Sequence, residues 1–514
     1  MWRRAWLSLG ALIILLGAVQ GIAASDAVAY DIRHYDLLIE PDFARKSIHL
    51  RAVVEISNPN RATSFRFGLN KNYSDVSVSA NEAPAAIERS NGWIVVRPSR
   101  AAGKLRLVFE LHGQLGRSLD EDREVIESES LFLLWSDRFY PIDLGDWATV
   151  RTTVVLPRGF RAIAPGRLVQ ASSGSPARFV FVAKTPTGPV SVFADSRWIR
   201  SERRVNGFRI QTLLYPESQS YAEQIFATSG DVLKFFADLH GCYAFDQFSF
   251  VTLTGTYARR AFPGFVGYSP SYLAKVFQQT GYDAHETSLL WWGLTTRGKG
   301  PGAFQWTEGF GDYVEVLYAE ERKKPLDPIF ARFRSQYLAL PLEQDVLYGE
   351  LRGSTPQAIV HGRYPWLMQM LRDQIGAAAF RRSLRLLFHR YRFRGFTMDE
   401  FIATFEEASG QSLRSWREQW LERKGVPALT LKASAAPVGA AYRITCRIRQ
   451  TGNVYDLPLE IGIETEKGRE VKTVQLNQPE QEVALDVAEK PLGLALDPRD
   501  RLLIQKSSAT LRWQ

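Results

Sequence analysis

The sequence predicts a multidomain α+β protein, β-rich at both ends and mostly helical in the middle, on three observations. From Tyr30 to Ser201, short β-branched runs are separated by turn compositions such as SNPNRATS, SRAAGK, SSGSP and TPTG. From SYAEQIFATSGDVLKFFADLHG to Gly425, helical patterns dominate. After Val426 and Pro427 the pattern returns to strand in ALTLKAS, AYRITCRIRQ, LPLEIGIETE, VKTVQL and QEVALDVA. The boundaries implied are 28–203 for an N-terminal β domain, 204–426 for a helical domain and 427–514 for a small C-terminal β-sandwich. A length of 514 residues suffices for three domains, and 45% apolar with 23% charged residues requires no disordered segment.

The chain opens on MWRRAWLSLGALIILLGAVQGIAASDA, with Arg3 and Arg4 ahead of an apolar run from Ala5 to Val19 and small residues near Ala24 and Ala27. This is the layout of a secretory leader over residues 1–24. The run falls short of the roughly 20 apolar residues of a membrane span, so an exported, periplasmic or extracellular protein is expected rather than an anchored one. No cysteine follows the run to carry a lipid.

Next come two clear strands. SIHLRAVVEIS alternates apolar and polar residues, and ATVRTTVVLP is β-branched until Pro157 ends it. A helix is predicted to stop near Gly241, and Thr397 with Glu400 reads as a capping box opening a helix that Gly410 closes. Cys242 and Cys446 fall in different predicted domains and form no disulfide framework. The net charge is +9, and FRRSLRLLFHRYRFRGF gathers Arg381, Arg382, Arg385, Arg390, Arg392 and Arg394. On a helix Phe380, Leu384, Leu387 and Tyr391 make an apolar stripe that leaves the arginines wet. The expectation is a solvated face over 381–394, with contact to anionic headgroups as the other reading and no nucleic acid.

The chemistry concentrates in HETSLLWWGLTTRGKGPGAFQWTEGFGDY, from His285 to Tyr313. Residues one helical turn apart have Cβ atoms about 5 to 6 Å apart, so histidines at 285 and 289 would share a metal ion. Glu286 would act as general base on the metal-bound water, and Glu308, after eighteen intervening residues, would supply a carboxylate ligand. Position 289 is leucine, which has no lone pair. Catalytic zinc normally takes three protein ligands and water, so a site of His285 and Glu308 should bind zinc weakly or not at all.

Here the sequence resembles the gluzincin aminopeptidases, the membrane alanyl aminopeptidase family, whose pattern is HExxH, eighteen residues, then Glu in a WxxEGF-like segment. His285, Glu286, Trp291, Gly293, Trp306, Glu308, Gly309, Phe310 and Tyr313 fall on matching positions. YDIRHYDLLIEPDFARKSIHLRAVVEISNP and RFYPIDLGDWATVRTTVVLPRGFRAIAPGRLV resemble strands of that family's N-terminal domain, and QSLRSWREQWLERKGVPALTL its last catalytic helix. The resemblance implies a saddle-like β-sheet domain, a thermolysin-like mostly helical domain and a β-sandwich.

It also exposes departures. The family carries an ammonium-gripping glutamate in a GxMEN-type segment, whereas RRAFPGFVGYSPSYL, from Arg259 to Leu273, holds no carboxylate. The family's oxyanion-stabilising tyrosine aligns with His361, Arg363 lies near the accompanying lysine, and Tyr364 is close by. His361 is therefore either a hydrogen-bond donor in the old site or a helix-start residue. The family's C-terminal helical domain is not expected to follow the sandwich.

Gly264, Phe265 and Tyr268, with Phe262 and Tyr272, are candidate lining of a peptide cleft, or core residues. His285 either binds a metal weakly or packs against Trp291 and Trp292, Glu308 either ligates or pairs with an arginine, and Asp312 or Asp283 could replace the missing ligand. The expected protein is an exported aminopeptidase-like pseudoenzyme that binds a peptide or a protein in the cleft. The alternative is a metallopeptidase with a rearranged site.

Overall fold

The computed structural model describes residues 30–172, 174–255, 258–279, 284–300, 302–351, 355–506 and 510–513. The leader-like segment 1–24 and Asp283 lie outside the described residues. The chain divides into two compact units, one holding the residues up to Thr307 with Leu384–Phe401, the other Glu308–Leu351, Thr355–Ser383 and the chain from Ile402.

The first unit opens with an eight-stranded sheet. Its strands are β1 (Asp31–Asp42), β2 (Ser47–Ser57), β3 (Tyr73–Ala80), β4 (Ala83–Pro84), β5 (Lys104–Gly113), β6 (Ala148–Leu156), β7 (Arg167–Ala171) and β8 (Ala177–Thr187), in the order β7-β8-β6-β1-β2-β5-β3-β4. The alternation in SIHLRAVVEIS does what its period requires: Leu50, Ala52 and Val54 are fully buried beside Leu37, Ile39, Leu107 and Phe109. Each such side chain removed from water contributes roughly 1.5 to 3 kcal/mol. β1 pairs antiparallel with β2 and parallel with β6, so the two segments read as strands from sequence are joined through one central strand.

A five-stranded sheet follows, made of β9 (Ile199–Val205), β10 (Phe208–Leu214), β11 (Phe248–Thr252), β12 (Arg259–Phe262) and β13 (Phe265–Tyr268), in the order β9-β10-β11-β13-β12. Between β10 and β11 runs α1 (Ala222–His240), which ends in the left-handed Gly241 as expected. Then come α2 (Pro270–Gln279) and the one-turn α3 (His285–Ser288).

The remaining helices are α4 (Ala303–Glu321), α5 (Asp327–Leu338), α6 (Tyr364–Ile375), α7 (Ala377–Tyr391), α8 (Met398–Ser409) and α9 (Arg414–Trp420). A π-helical turn over Ile359–Arg363 leads into α6. The capping box is present, with the Thr397 amide donating to Glu400 at 2.8 Å and the Glu400 amide to the Thr397 hydroxyl at 3.2 Å. Phe380, Leu384, Leu387 and Tyr391 are the buried stripe of α7, while Arg382, Arg385, Arg390, Arg392 and Arg394 are exposed. The second unit ends in a five-stranded and a three-stranded sheet, begun by the hairpin Ala428–Val438 with Ala441–Thr451. Among the described residues no helix is long and apolar enough to cross a membrane, and Cys242 and Cys446 are both free.

Candidate functional site

In the first unit, the segment carrying the HE dipeptide makes a single helical turn. The Ser288 and Leu289 amides donate to the carbonyls of Ala284 and His285 at 2.9 and 3.2 Å, so Leu289 does stand one turn after His285. The Leu290 and Trp291 amides then reach only three residues back, to Thr287 and Ser288, and the helix stops. Two buried indoles account for the departure. Trp291 donates to the Cys242 carbonyl at 2.8 Å and Trp292 to His240 Nε2 at 2.9 Å. His240 can accept because burial pushes its pKa down to about 3, leaving a neutral ring whose Nδ1 sits 2.8 Å from the Phe236 carbonyl. This support was missed from sequence, although a histidine ending α1 just before its glycine stop was there to be seen.

Glu286, in the position of a general base, is 6% exposed and ion-paired with Arg259 Nε at 3.2 Å. Arg259 also lies over the Tyr272 ring at 5.6 Å. Its neighbour Arg260 faces Asp120 at 3.5 Å, with 12% and 2% of the two side chains exposed. Thus β12, in the segment aligned with the family's ammonium-gripping glutamate, presents two guanidinium groups. Gly264 makes the turn from β12 to β13 at φ +84°, where a side chain would be strained. Phe265 and Tyr268 are 1% exposed, Phe265 stacked on Phe262 at 4.7 Å and Tyr268 on Phe250 at 4.7 Å. Phe265 belongs with Phe262 to one buried aromatic cluster.

In the second unit, α4 carries Glu308, Asp312 and Glu315 at spacings of four and three, on one helix face. Glu308 is half-buried and Asp312 is 6% exposed. His361 stands in the π-helical turn with Nδ1 at 2.6 Å from Asp312 Oδ2. Arg363 is held elsewhere. Its Nη1 donates to both carboxylate oxygens of Asp345 at 3.0 and 2.9 Å, and its Nη2 to the carbonyls of Trp420 and Arg423, both at 2.8 Å. Tyr364 is buried, and Tyr313 donates to Gln369 at 2.9 Å.

Within the second unit, Asp312 and Glu315 follow Glu308 on one face of α4 and offer carboxylates of a kind that can ligate a metal ion, while Leu289 in the first unit carries no donor atom.

No family model matches the chain. Its sequence is similar to aminopeptidase N of Lactococcus lactis, 26% identical over 161 residues, covering 29% of this chain and 19% of that protein. It is also similar to aminopeptidase N of Caulobacter vibrioides, 34% identical over 77 residues, covering 15% and 9%. Aminopeptidase M1-A of Oryza sativa is 23% identical over 158 residues, covering 29% and 18%. The matched segments thus span less than a fifth of each relative. A solved structure of Legionella pneumophila aminopeptidase A, in complex with aspartic acid, superposes with a TM-score of 0.75 at 14% identity, covering 95% of this chain and 60% of that one.

Fold and sequence are similar to those of peptidases of the gluzincin aminopeptidase type, a family that typically binds zinc. Within that type its likeness is to aminopeptidases N, M1 and A.

Proposed function

We propose that this chain is an exported, non-catalytic aminopeptidase-like protein that binds a peptide or a protein through its old cleft. The observation that carries this reading is the pairing of Glu286 with Arg259 at 3.2 Å, one position from His285 and three from the hydrocarbon Leu289. A base must present a lone pair to the water it deprotonates. Here a guanidinium pairs with one oxygen of that carboxylate and lowers its basicity, and the residue that would complete the metal shell has no donor. The absence of any carboxylate from Arg259 to Leu273 also removes the charge that would grip an ammonium group.

The test is hydrolysis of a broad set of unblocked peptides by the purified protein, with and without chelator. No turnover in either condition is expected, and chelator-sensitive turnover overturns the proposal. Export is tested separately, by fractionating cells that express the full chain.

A second reading, a metallopeptidase with a rearranged site, is favoured by the likeness to aminopeptidases, a family that typically binds zinc. It requires close to one equivalent of a divalent metal after metal-replete purification. Well under one equivalent counts against it.

A further inference from the structure

Well away from the HE segment in the chain, the first unit holds a cleft of about 660 Å3. One wall is the edge of the eight-stranded sheet. Along β8, Phe181 and Ala183 point into the core, so Val182 and Lys184 point out. β7 adds Arg167 and the 54% exposed Val169 to the same wall. It can do so because Gly166 lets the chain touch the backbone of β8, where a Cβ would come within 2.5 Å of Val182 and Ala183.

The other wall is the β9–β10 hairpin. Asn206 and Gly207, both at positive φ, make its two-residue turn between the paired Val205 and Phe208. That register sets Arg204 directly opposite Arg209. Like charges facing across a strand pair are destabilising unless compensated. Arg209 is compensated by Glu202 at 2.6 Å, whereas Arg204 makes only a 3.4 Å bond to the Gly207 carbonyl. Arg167 and Lys184 likewise have no carboxylate partner among the described residues, and Asp246 is the carboxylate that lines the same cleft.

Three half-buried rings, Phe208, Tyr243 and Phe245, supply an apolar surface, in edge-to-face contact at 5.9 and 5.6 Å. Uncompensated cations next to accessible aromatic faces suit a ligand with a ring and a negative group, and the volume lies within the range of small-molecule sites.

The geometry points to this cleft as a binding site for a small ring-bearing anion, a phosphate or a carboxylate on a sugar or aromatic ring. The cations Arg167, Lys184 and Arg204 hold the charge, and Phe208, Tyr243 and Phe245 hold the ring. The site is independent of the peptidase reading.

Calorimetric titration of the intact protein tests it with adenosine diphosphate, adenosine, pyrophosphate and 4-hydroxyphenylacetate. Adenosine diphosphate or the aryl carboxylate, whichever source is right, should bind at least about tenfold more tightly than adenosine or pyrophosphate, and should weaken as salt rises. The double variant Lys184→Ala, Arg204→Ala should lose about tenfold or more in affinity, and Phe245→Ala a smaller factor, with thermal unfolding unchanged because these cations are exposed. Absence of saturable binding by either ring-bearing anion, equal binding of pyrophosphate, or an unaffected double variant overturns the proposal.

Discussion

Two arginine–carboxylate pairs, one in each compact unit, differ in how completely they are enclosed. Arg363 and Asp345 in the second unit are 3% and 2% exposed, and the cluster around them is dense. Asp345 also accepts from Tyr337 and from the Gly425 amide at 2.8 and 2.6 Å, while Arg363 binds two main-chain carbonyls. In the first unit the Glu286 side chain is 8% exposed, Arg259 is 28% exposed, and the guanidinium lies against a ring rather than in a cage. A buried ion pair holds a fold together only when its remaining donors and acceptors are also met. The Arg363 pair comes nearer to that condition, with Arg363 Nε the one donor left without a hydrogen-bond partner, and ties α6 to the segment after α9. The Arg259 pair leaves its guanidinium open to water on one side.

The comparison can be broken most directly at its stronger member. Arg363→Leu leaves Asp345 buried without its cation and should cost about 3 to 5 kcal/mol in denaturant-induced unfolding. A loss under roughly 1 kcal/mol would remove the structural role argued for this pair.

Next in size is an acid effect confined to the first unit. His240 is fully buried and its folded pKa, near 3, lies below the unfolded value of 6.5, because burial outweighs the favourable contact with the Phe236 carbonyl. The unfolded chain therefore takes up a proton as pH falls through 6.5 and the folded chain does not. The stability held above pH 6.5 is lost on acidification at up to about 1.4 kcal/mol per pH unit, down towards pH 3. The fluorescence of Trp292, bonded to this ring, should report it, and His240→Gln should flatten the slope. An equal slope in parent and variant would assign the acid sensitivity elsewhere.

Arg259→Gln is expected to cost less, about 1 kcal/mol, because water already reaches the guanidinium and can replace part of its contact with Glu286. A loss as large as that of Arg363→Leu would show that the two pairs are equivalent after all and erase the contrast between them.

The sheets and most helices were legible because their signals are local. Alternation in SIHLRAVVEIS, the stop at Gly241, the Thr397 capping box and the stripe from Phe380 to Tyr391 all appear where periodicity and turn chemistry put them. The alignment of nine positions from His285 to Tyr313 located the region of interest, since the spacing of HE from the later glutamate survives the loss of Leu289's counterpart. What the sequence hid are pairings between distant segments. Arg259 finds Glu286 across 27 positions and His240 finds Trp292 across 52. Nor does a helical reading of HETSLLWWG reveal that two indoles, each with a distant acceptor, end the helix after one turn. Arg363, aligned near the lysine that accompanies the family's tyrosine, is instead held by Asp345, a residue with no motif around it.

Leu289→His gives the smallest expected change in stability and the sharpest reading of the first unit. Leu289 is only half-buried, so an imidazole at the end of this one-turn helix can be accommodated at a cost of about 1 kcal/mol. Its amide already bonds to the His285 carbonyl at 3.2 Å, placing the new ring on the same face as His285 and restoring the second imidazole. Zinc content measured by atomic absorption should rise markedly towards one equivalent. Aminopeptidase turnover should stay near background, because Glu286 remains held by Arg259 and β12 still presents cations where an ammonium must dock. Combining Leu289→His with Arg259→Gln separates the two obstacles: turnover of blocked peptides by the double variant alone would locate the block at the ion pair. Turnover by Leu289→His by itself would mean that the guanidinium never restrained the carboxylate.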